Sequence, residues 1–318
     1  MQNIKTYLDA CSEAYYNGSP IISDEVFDAL ADSIGYGSVG AKQHEDTEKH
    51  YFQMYSLQKF YEGEDMKKPL EGISDVVYSL KLDGAAIDIL YIDGTLSRVM
   101  TRGDGIEGKV ITDKFLVSNI IPHKIKQMGV VQITGEVMAP KHIENARNYA
   151  AGSLNLKDTT EFKTRALEFF AYGVQPNIHD TYVDDMKQLR REGFKTAHGE
   201  FELDKTYPCD GMVFRVNSNK VFNEMGYTAK FPRGAYALKE RNEGADTILL
   251  DVVWQVGKSG KVTPVAILEE VVIEDAKITR ATLNNIDFIE ALDIQIGDTV
   301  HVIRAGSIIP CITHKVNG

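Results

Sequence analysis

The sequence predicts an α+β protein of several domains: a small N-terminal helical cap, a central domain of mixed sheets and helices, and a C-terminal β-barrel. Three observations carry this expectation. Apolar residues recur at helical spacing near the N-terminus, short alternating runs begin near Val76, and the stretch after about residue 245 is nearly all strand-like. A chain of 318 residues also exceeds what one core usually covers.

Residues 3–16 read as a helix, because Ile4, Tyr7, Leu8, Cys11 and Tyr15 fall on one stripe. Asn17-Gly18-Ser19-Pro20 is a turn cluster. Ser23 then stands as a helix N-cap, and Val26, Phe27, Leu30 and Ile34 form the apolar stripe of a second helix that Gly35 and Gly37 stop. Residues 36–50 are polar and read as a linker. In the centre, residues 76–80, 86–92, 96–100, 130–137, 166–174 and 211–216 are strand candidates, with a hairpin turn at Asp93-Gly94. Helical patterns are expected over 109–119 and 184–192. The strands at 248–256, 262–270, 271–273 and 298–304 suit a small barrel such as an OB-fold. The domain limits expected are 1–40, 41–241 and 242–318.

Charge is distributed unevenly. The whole chain carries −11, but residues 1–78 carry −8, 79–241 carry +2 and 242–318 carry −5. The acidic average argues against nucleic acid, whereas the central segment does not. Cys11, Cys209 and Cys311 are too far apart for a zinc knuckle, so no zinc site is expected. No apolar run approaches the roughly 18 residues of a membrane span, and the N-terminus lacks the layout of a signal peptide. The expectation is a cytoplasmic protein that does not engage membranes.

The sharpest chemical feature is Lys81-Leu82-Asp83-Gly84 after an apolar strand. Alone, such a tetrapeptide is compatible with a surface turn. At the end of a buried strand, a lysine is costly to keep charged, which would free its amine as a nucleophile for phosphorus or carbonyl centres. Thr101-Arg102-Gly103-Asp104-Gly105, Gly135-Glu136-Val137, Asp210-Gly211-Met212-Val213 and Lys239 follow in order. Together they resemble the nucleotidyltransferase motifs of DNA ligases, and more narrowly those of the bacterial NAD-dependent DNA ligases. Arg147-Asn148-Tyr149-Ala150-Ala151-Gly152-Ser153-Leu154 is similar to a signature of that family, as are the blocks around Gly257-Lys258-Ser259-Gly260-Lys261, Arg280-Ala281-Thr282-Leu283-Asn284 and Arg304-Ala305-Gly306.

The resemblance implies an adenylation domain and an OB-fold, with three in-line displacements at phosphorus. Lys81 would attack NAD+ to give a lysyl-AMP, the AMP would pass to the 5′-phosphate of a nick, and the 3′-hydroxyl would then seal the strand. It implies phosphate contacts for Arg102 and Lys239, a ribose contact for Glu136, and a metal-assisting role for Asp83, with Mg²⁺ at Asp83 and Glu136. Asp210 joins the same cofactor set. Ile22-Ser23-Asp24-Glu25-Val26-Phe27-Asp28 resembles the family's helical cap, so Asp24, Phe27, Asp28, Tyr15 and Tyr16 are expected to contact the nicotinamide mononucleotide half of NAD+. Ser56 and Leu57 match the segment that borders the adenine in the family. Three departures stand out. Ser79 replaces a family Glu before the nucleophile, Arg215 replaces the Lys that ends the fourth motif, and Asn155 replaces an Arg. Arg215 retains the charge and can clamp phosphate bidentately.

Arg147, Asn148, Asn155, Lys258, Arg280 and Arg304 are the expected DNA contacts, to nicked duplex and without sequence preference. The zinc finger, helix-hairpin-helix and BRCT modules of full-length relatives are not matched. A minimal enzyme of the kind viruses and phages encode is therefore expected, monomeric and open to help from a separate clamp, in a bacterial or infected-host cytoplasm; a truncated piece of a longer chain is the other reading. Two functional alternatives are an ATP-dependent DNA or RNA ligase and a non-catalytic nick-binding subunit. Residues 36–50 and 241–244 are expected to let the cap move.

Overall fold

The computed structural model describes residues 2–16, 21–34, 36, 47–61, 69–199, 202–239, 244–256, 262–273, 276–305 and 309–316. The chain divides into two compact units, Met1–Ala41 with Arg241–Gly318, and Lys42–Glu240. The expected turn at 17–20, most of the linker and most of the hinge at 241–244 lie outside the described residues.

The chain opens with helices α1 (Gln2–Tyr16) and α2 (Asp24–Ser33). Ser23 caps α2 as expected, its Oγ accepting from the Val26 amide at 3.5 Å. The second unit then runs β1 (Thr47–Lys49), β2 (Gln58–Tyr61), β3 (Val76–Leu82), β4 (Ala85–Ile92), β5 (Thr95–Thr101), β6 (Glu107–Lys109), α3 (Thr112–Leu116), β7 (Val130–Met138), α4 (Ala146–Leu154), α5 (Thr159–Thr164), β8 (Glu168–Gln175), α6 (Tyr182–Arg191), β9 (Lys195–Thr196), α7 (Leu203–Thr206), β10 (Cys209–Val216), α8 (Asn219–Met225) and β11 (Ala235–Lys239). The last segment holds β12 (Gly244–Val256), β13 (Val262–Ile273), β14 (Ala276–Thr282), α9 (Ile286–Leu292), β15 (Thr299–Ala305) and β16 (Ile309–Lys315). Among the described residues no helix is long and apolar enough to cross a membrane.

Lys42–Glu240 is built on two main sheets. One has the order β5-β4-β7-β8-β9, the other β2-β11-β10-β3. Alternation sets the faces of the first sheet. Ile87, Ile89, Tyr91, Ile133, Val137 and Phe169 join Phe115, Phe162, Met186 and Leu189 in the main core. Asp88 and Glu136 stand at the intervening positions. Asp93 and Gly94, both with positive φ, make the tight β4–β5 turn that the sequence marked. The helix expected over 109–119 shrinks to α3, because Glu107, Gly108 and Lys109 pair with β1 and Val110 bridges Met100.

In the other unit, β12-β13-β14-β16-β15 closes into a five-stranded barrel. Helices of 15 and 10 residues cannot bury a core of their own. Tyr7, Leu8, Cys11, Val26 and Leu30 instead share one cluster with Leu249, Leu268, Phe288 and Ile312. The Tyr7 ring meets Phe288 edge-on at 5.7 Å. The runs 262–270 and 271–273 form a single strand, bent where its pairing with β14 shifts register between Ile267 and Val271. Trp254 lies opposite Pro264 in the β12–β13 pair and stays 52 % exposed.

Candidate active site

The site is built where β3 leaves one sheet and β4 enters the other. Leu82-Asp83-Gly84-Ala85 makes this crossing, and Gly84 is required for it. A Cβ there would lie 2.3 Å from the Val137 carbonyl oxygen and 2.5 Å from Met138 Sδ. Register places Val77 and Ser79 of β3 opposite Arg215 and Val213 of β10, and these opposite Ala235 and Ala237 of β11. Alternation then brings Lys81 and Lys239 to the same face.

Asp210 joins these two lysines. Lys81 Nζ donates to Asp210 Oδ1 at 2.7 Å, and Lys239 Nζ lies 3.0 Å from Oδ2. Burial pushes the Asp210 carboxyl up, but the Lys81 and Lys239 ammonium groups outweigh it and hold it below its usual range. Gly211 lets β10 bend beside this carboxylate. Its φ is +128°, and an added Cβ would lie 2.2 Å from the Leu238 carbonyl oxygen. Lys81 differs from the expectation of a fully buried lysine. Its side chain keeps 22 % of its exposure and is ion-paired.

Glu136 comes from β7, between Ala86 of β4 and Phe170 of β8. Burial lifts its carboxyl to about 7, against the pull of Arg147, Lys81 and Arg102. Asp83 accepts from Arg147 Nη1 on α4. Lys81, Asp83, Arg102, Glu136, Arg147, Asp210 and Lys239 therefore form one linked electrostatic cluster.

Arg102 sits in a glycine turn. Its amide donates to the Ala86 carbonyl at 3.0 Å, Gly103 and Gly105 have positive φ, and Asp104 caps the Ile106 and Glu107 amides. The segment carrying Ser56 and Leu57 docks nearby. The Met54 amide donates to the Gly105 carbonyl, and the Ser56 amide to that of Lys230. The Gln132 side chain grips Phe52 from both sides, accepting from its amide and donating to its carbonyl, each at 2.8 Å. Tyr55 stacks on Tyr227 with centroids 4.3 Å apart.

Arg215 stands apart from this cluster. Its guanidinium lies over Tyr182 and Phe222 and donates to the Val216 carbonyl and Asn219 Oδ1, both at 3.0 Å. Burial lowers its pKa. Ser79 is buried, Asn148 is exposed, and Asn155 closes α4, its side-chain Nδ2 donating to the Ala151 carbonyl at 3.5 Å. Lys258 and Lys261 lie outside the described residues. Arg280 is exposed on β14, and Arg304 is half-buried on β15. Phe27 meets Tyr36 edge-on at 6.0 Å and Asp28 is half-buried in α2. The side chains of Tyr15, Tyr16 and Asp24 lie outside what is described.

The sequence did not single out His50, Gln132, Tyr172 or Tyr227. Gln132 and Tyr172 sit within legible strands, where a polar or phenolic group on a half-buried face was the available signal. Tyr172 lies close enough to Glu136 for that carboxylate, after burial, to raise its pKa further. His50 and Tyr227 lie in irregular segments and gave no periodic signal.

The model of the NAD-dependent DNA ligase adenylation domain matches residues 43–205, and that of the NAD-dependent DNA ligase OB-fold domain matches residues 246–318. A DNA ligase of Campylobacter curvus is 34 % identical over 98 % of this chain and 56 % of its own length. One from Flavobacterium johnsoniae is 35 % identical over 91 % and 50 %. The chain thus spans about half the length of the curated relatives it matches. An ATP-dependent DNA ligase of bacteriophage T7 overlays with a TM-score of 0.34 at 16 % identity, covering 78 % of this chain and 94 % of that one, too distant to bear on the donor.

Proposed function

The chain belongs to the NAD-dependent DNA ligase family, and from that premise we propose that it seals nicks in duplex DNA with NAD+ as the AMP donor. The observation that carries this reading is the Asp210 carboxylate shared by Lys81 and Lys239 beside Glu136. Lys81 is the nucleophile. Freed from Asp210 and stripped of a proton by water, its amine forms the P–N bond as the pyrophosphate P–O bond breaks and nicotinamide mononucleotide leaves. Lys239 and Arg102 balance charge on the phosphate oxygens, and Glu136 takes a ribose hydroxyl. Arg147 and Asn148 of α4 and Asn155 at its C-terminal end, with Lys258, Arg280 and Arg304 of the barrel segment, contact DNA phosphates. Residues 1–40 contribute Tyr15, Tyr16, Asp24, Phe27 and Asp28 to the nicotinamide end. Arg215 contributes by bracing α6 and α8 against β10.

The Mg²⁺ expected at Asp83 and Glu136 finds no ready cage. Asp83 is paired with Arg147, Glu136 holds its proton to about 7, and no cluster of three metal-ligating side chains gathers among the described residues. Mg²⁺ usually takes several oxygens from substrate phosphates and water, and these side chains offer it no site of their own. The reading extends to a monomer in the cytoplasm, working with or without a separate clamp.

The test is adduct formation. Adenylyl-labelled NAD+ should label the chain at Lys81, labelled ATP should not, and Lys81→Ala should take no label and seal no nick. Labelling from ATP alone would transfer the chain to the ATP-dependent reading. A chain that binds nicked duplex without taking label from either donor would be a nick-binding module.

A further inference from the structure

We propose that His50 is a positioning residue for Arg102: paired with Asp88, its imidazole fixes the turn that aims the Arg102 guanidinium at the Glu136–Lys81 cleft. The proposal deepens the ligase reading and rests on Lys81 being the adenylated residue.

Three pieces of chain meet at this ring. His50 follows β1, Asp88 lies mid-β4, and Arg102 follows β5. His50 Nδ1 stands 3.2 Å from Asp88 Oδ2, and Nε2 stands 2.9 Å from the Arg102 carbonyl oxygen. The two side chains are 0 % and 2 % exposed. Nε2 thus ties the ring to the turn, while the buried Nδ1 faces Asp88 Oδ2 at close range without hydrogen-bond geometry. Asp88 Oδ1 and His50 Nδ1 are both buried with no hydrogen-bond partner among the described residues, so each side chain has the other as its close polar neighbour. A buried polar group without a partner is costly, so Asp88 and the imidazole hold each other in place.

The main chain around the ring is already committed. The His50 amide donates to the Ile106 carbonyl at 2.9 Å, the Arg102 amide to that of Ala86 at 3.0 Å, and the Gly105 amide to that of Arg102 at 3.0 Å. Gly108 leaves the room required, since a Cβ there would lie 1.8 Å from the Thr101 carbonyl oxygen and 3.1 Å from His50 Cε1. His50 supplies a side-chain tie from outside the turn to the peptide of Arg102. Arg102 lies near enough to Glu136 and Tyr172 to lower the pKa of both. A shift of the turn therefore moves a cation within the cleft. A group that only filled the core would alter stability without acting through Arg102.

The experiment is single-turnover formation of the Lys81 adduct from labelled NAD+, in the full chain and in His50→Gln, Asp88→Asn, Arg102→Lys and the His50→Gln/Arg102→Lys double variant. Misplacing a reacting group by about 1 Å can cost on the order of 100-fold, so His50→Gln should slow adduct formation by roughly 10- to 100-fold while half-saturation by NAD+ moves less than about threefold. Asp88→Asn should show the same split. In the Arg102→Lys background the loss should shrink to under about threefold, as expected when one residue acts through the other. A His50→Gln rate within about twofold of the parent, or an equal loss in both backgrounds, overturns the proposal. Thermal melts accompany each variant. If His50→Gln does not fold, Asp88→Asn alone decides by the same criteria, and if neither folds the pair is a core element and the proposal falls. A parent chain that takes no label from NAD+ removes the ligase reading itself, whereas a labelled parent with a fully active variant removes only the role of His50.

Discussion

At the residue scale, Glu136 sets a pH dependence whose sign is fixed. Its carboxyl releases its proton near pH 7 in the folded chain and near 4.5 in the unfolded one. The native state therefore binds more protons between those values, and stability falls as pH rises through that window. Glu136→Gln should remove this slope, read as denaturation midpoints compared at pH 5 and pH 7.5. An unchanged slope would mean that another group carries it. Asp210 sets a second expectation. Asp210→Asn loosens the carboxylate that holds Lys81 and Lys239 side by side, and the misplaced amine should slow Lys81 adduct formation by on the order of 100-fold, read in a single turnover. The candidate residues were legible because each sits in a long collinear block. The bridge itself was not, because Lys81, Asp210 and Lys239 come from three strands whose pairing no local pattern states. The same reason hid His50, whose partners are 38 and 52 positions away.

At the element scale, the β10 bend and the helical pair make separate predictions. Gly211→Ala forces a Cβ onto the Leu238 carbonyl at a backbone angle that L-residues rarely adopt, and should cost about 1–3 kcal/mol in a denaturant titration. Leu8 is fully buried in the cluster shared with the barrel, so Leu8→Ala should destabilise that unit by about 2–5 kcal/mol, seen as a lower midpoint for the barrel transition. A barrel midpoint that does not move would mean that the helices fold without it. Strands such as β4 were readable from their alternating apolar pattern and the Asp93-Gly94 turn that ends it, although β4 is buried along most of both faces. Helix α9 and strand β16 were missed, since seven residues hold too few periods to distinguish helix from strand. Helix α4 carried a recognisable motif, yet its small residues give a weak apolar stripe.

At the scale of the whole molecule, the net charge of −11 coexists with Lys81, Lys239 and Arg147 clustered at the site and with Arg280 exposed on β14. If Arg147, Arg280, Arg304 and Lys258 each neutralise one phosphate, affinity for nicked duplex should fall with salt at a log–log slope of about −0.9 per contact, or roughly −3 to −4 in all. A slope near zero in a titration across salt concentrations would exclude phosphate contacts as the basis of binding. The chain contains one tryptophan, Trp254, half-open to solvent on the barrel. Indole emission is therefore a private optical channel for one unit, while the tyrosines of both contribute to the bulk ultraviolet signal. Followed together during unfolding, the two colours would separate the melting of the barrel from that of the Lys42–Glu240 unit without a single introduced label.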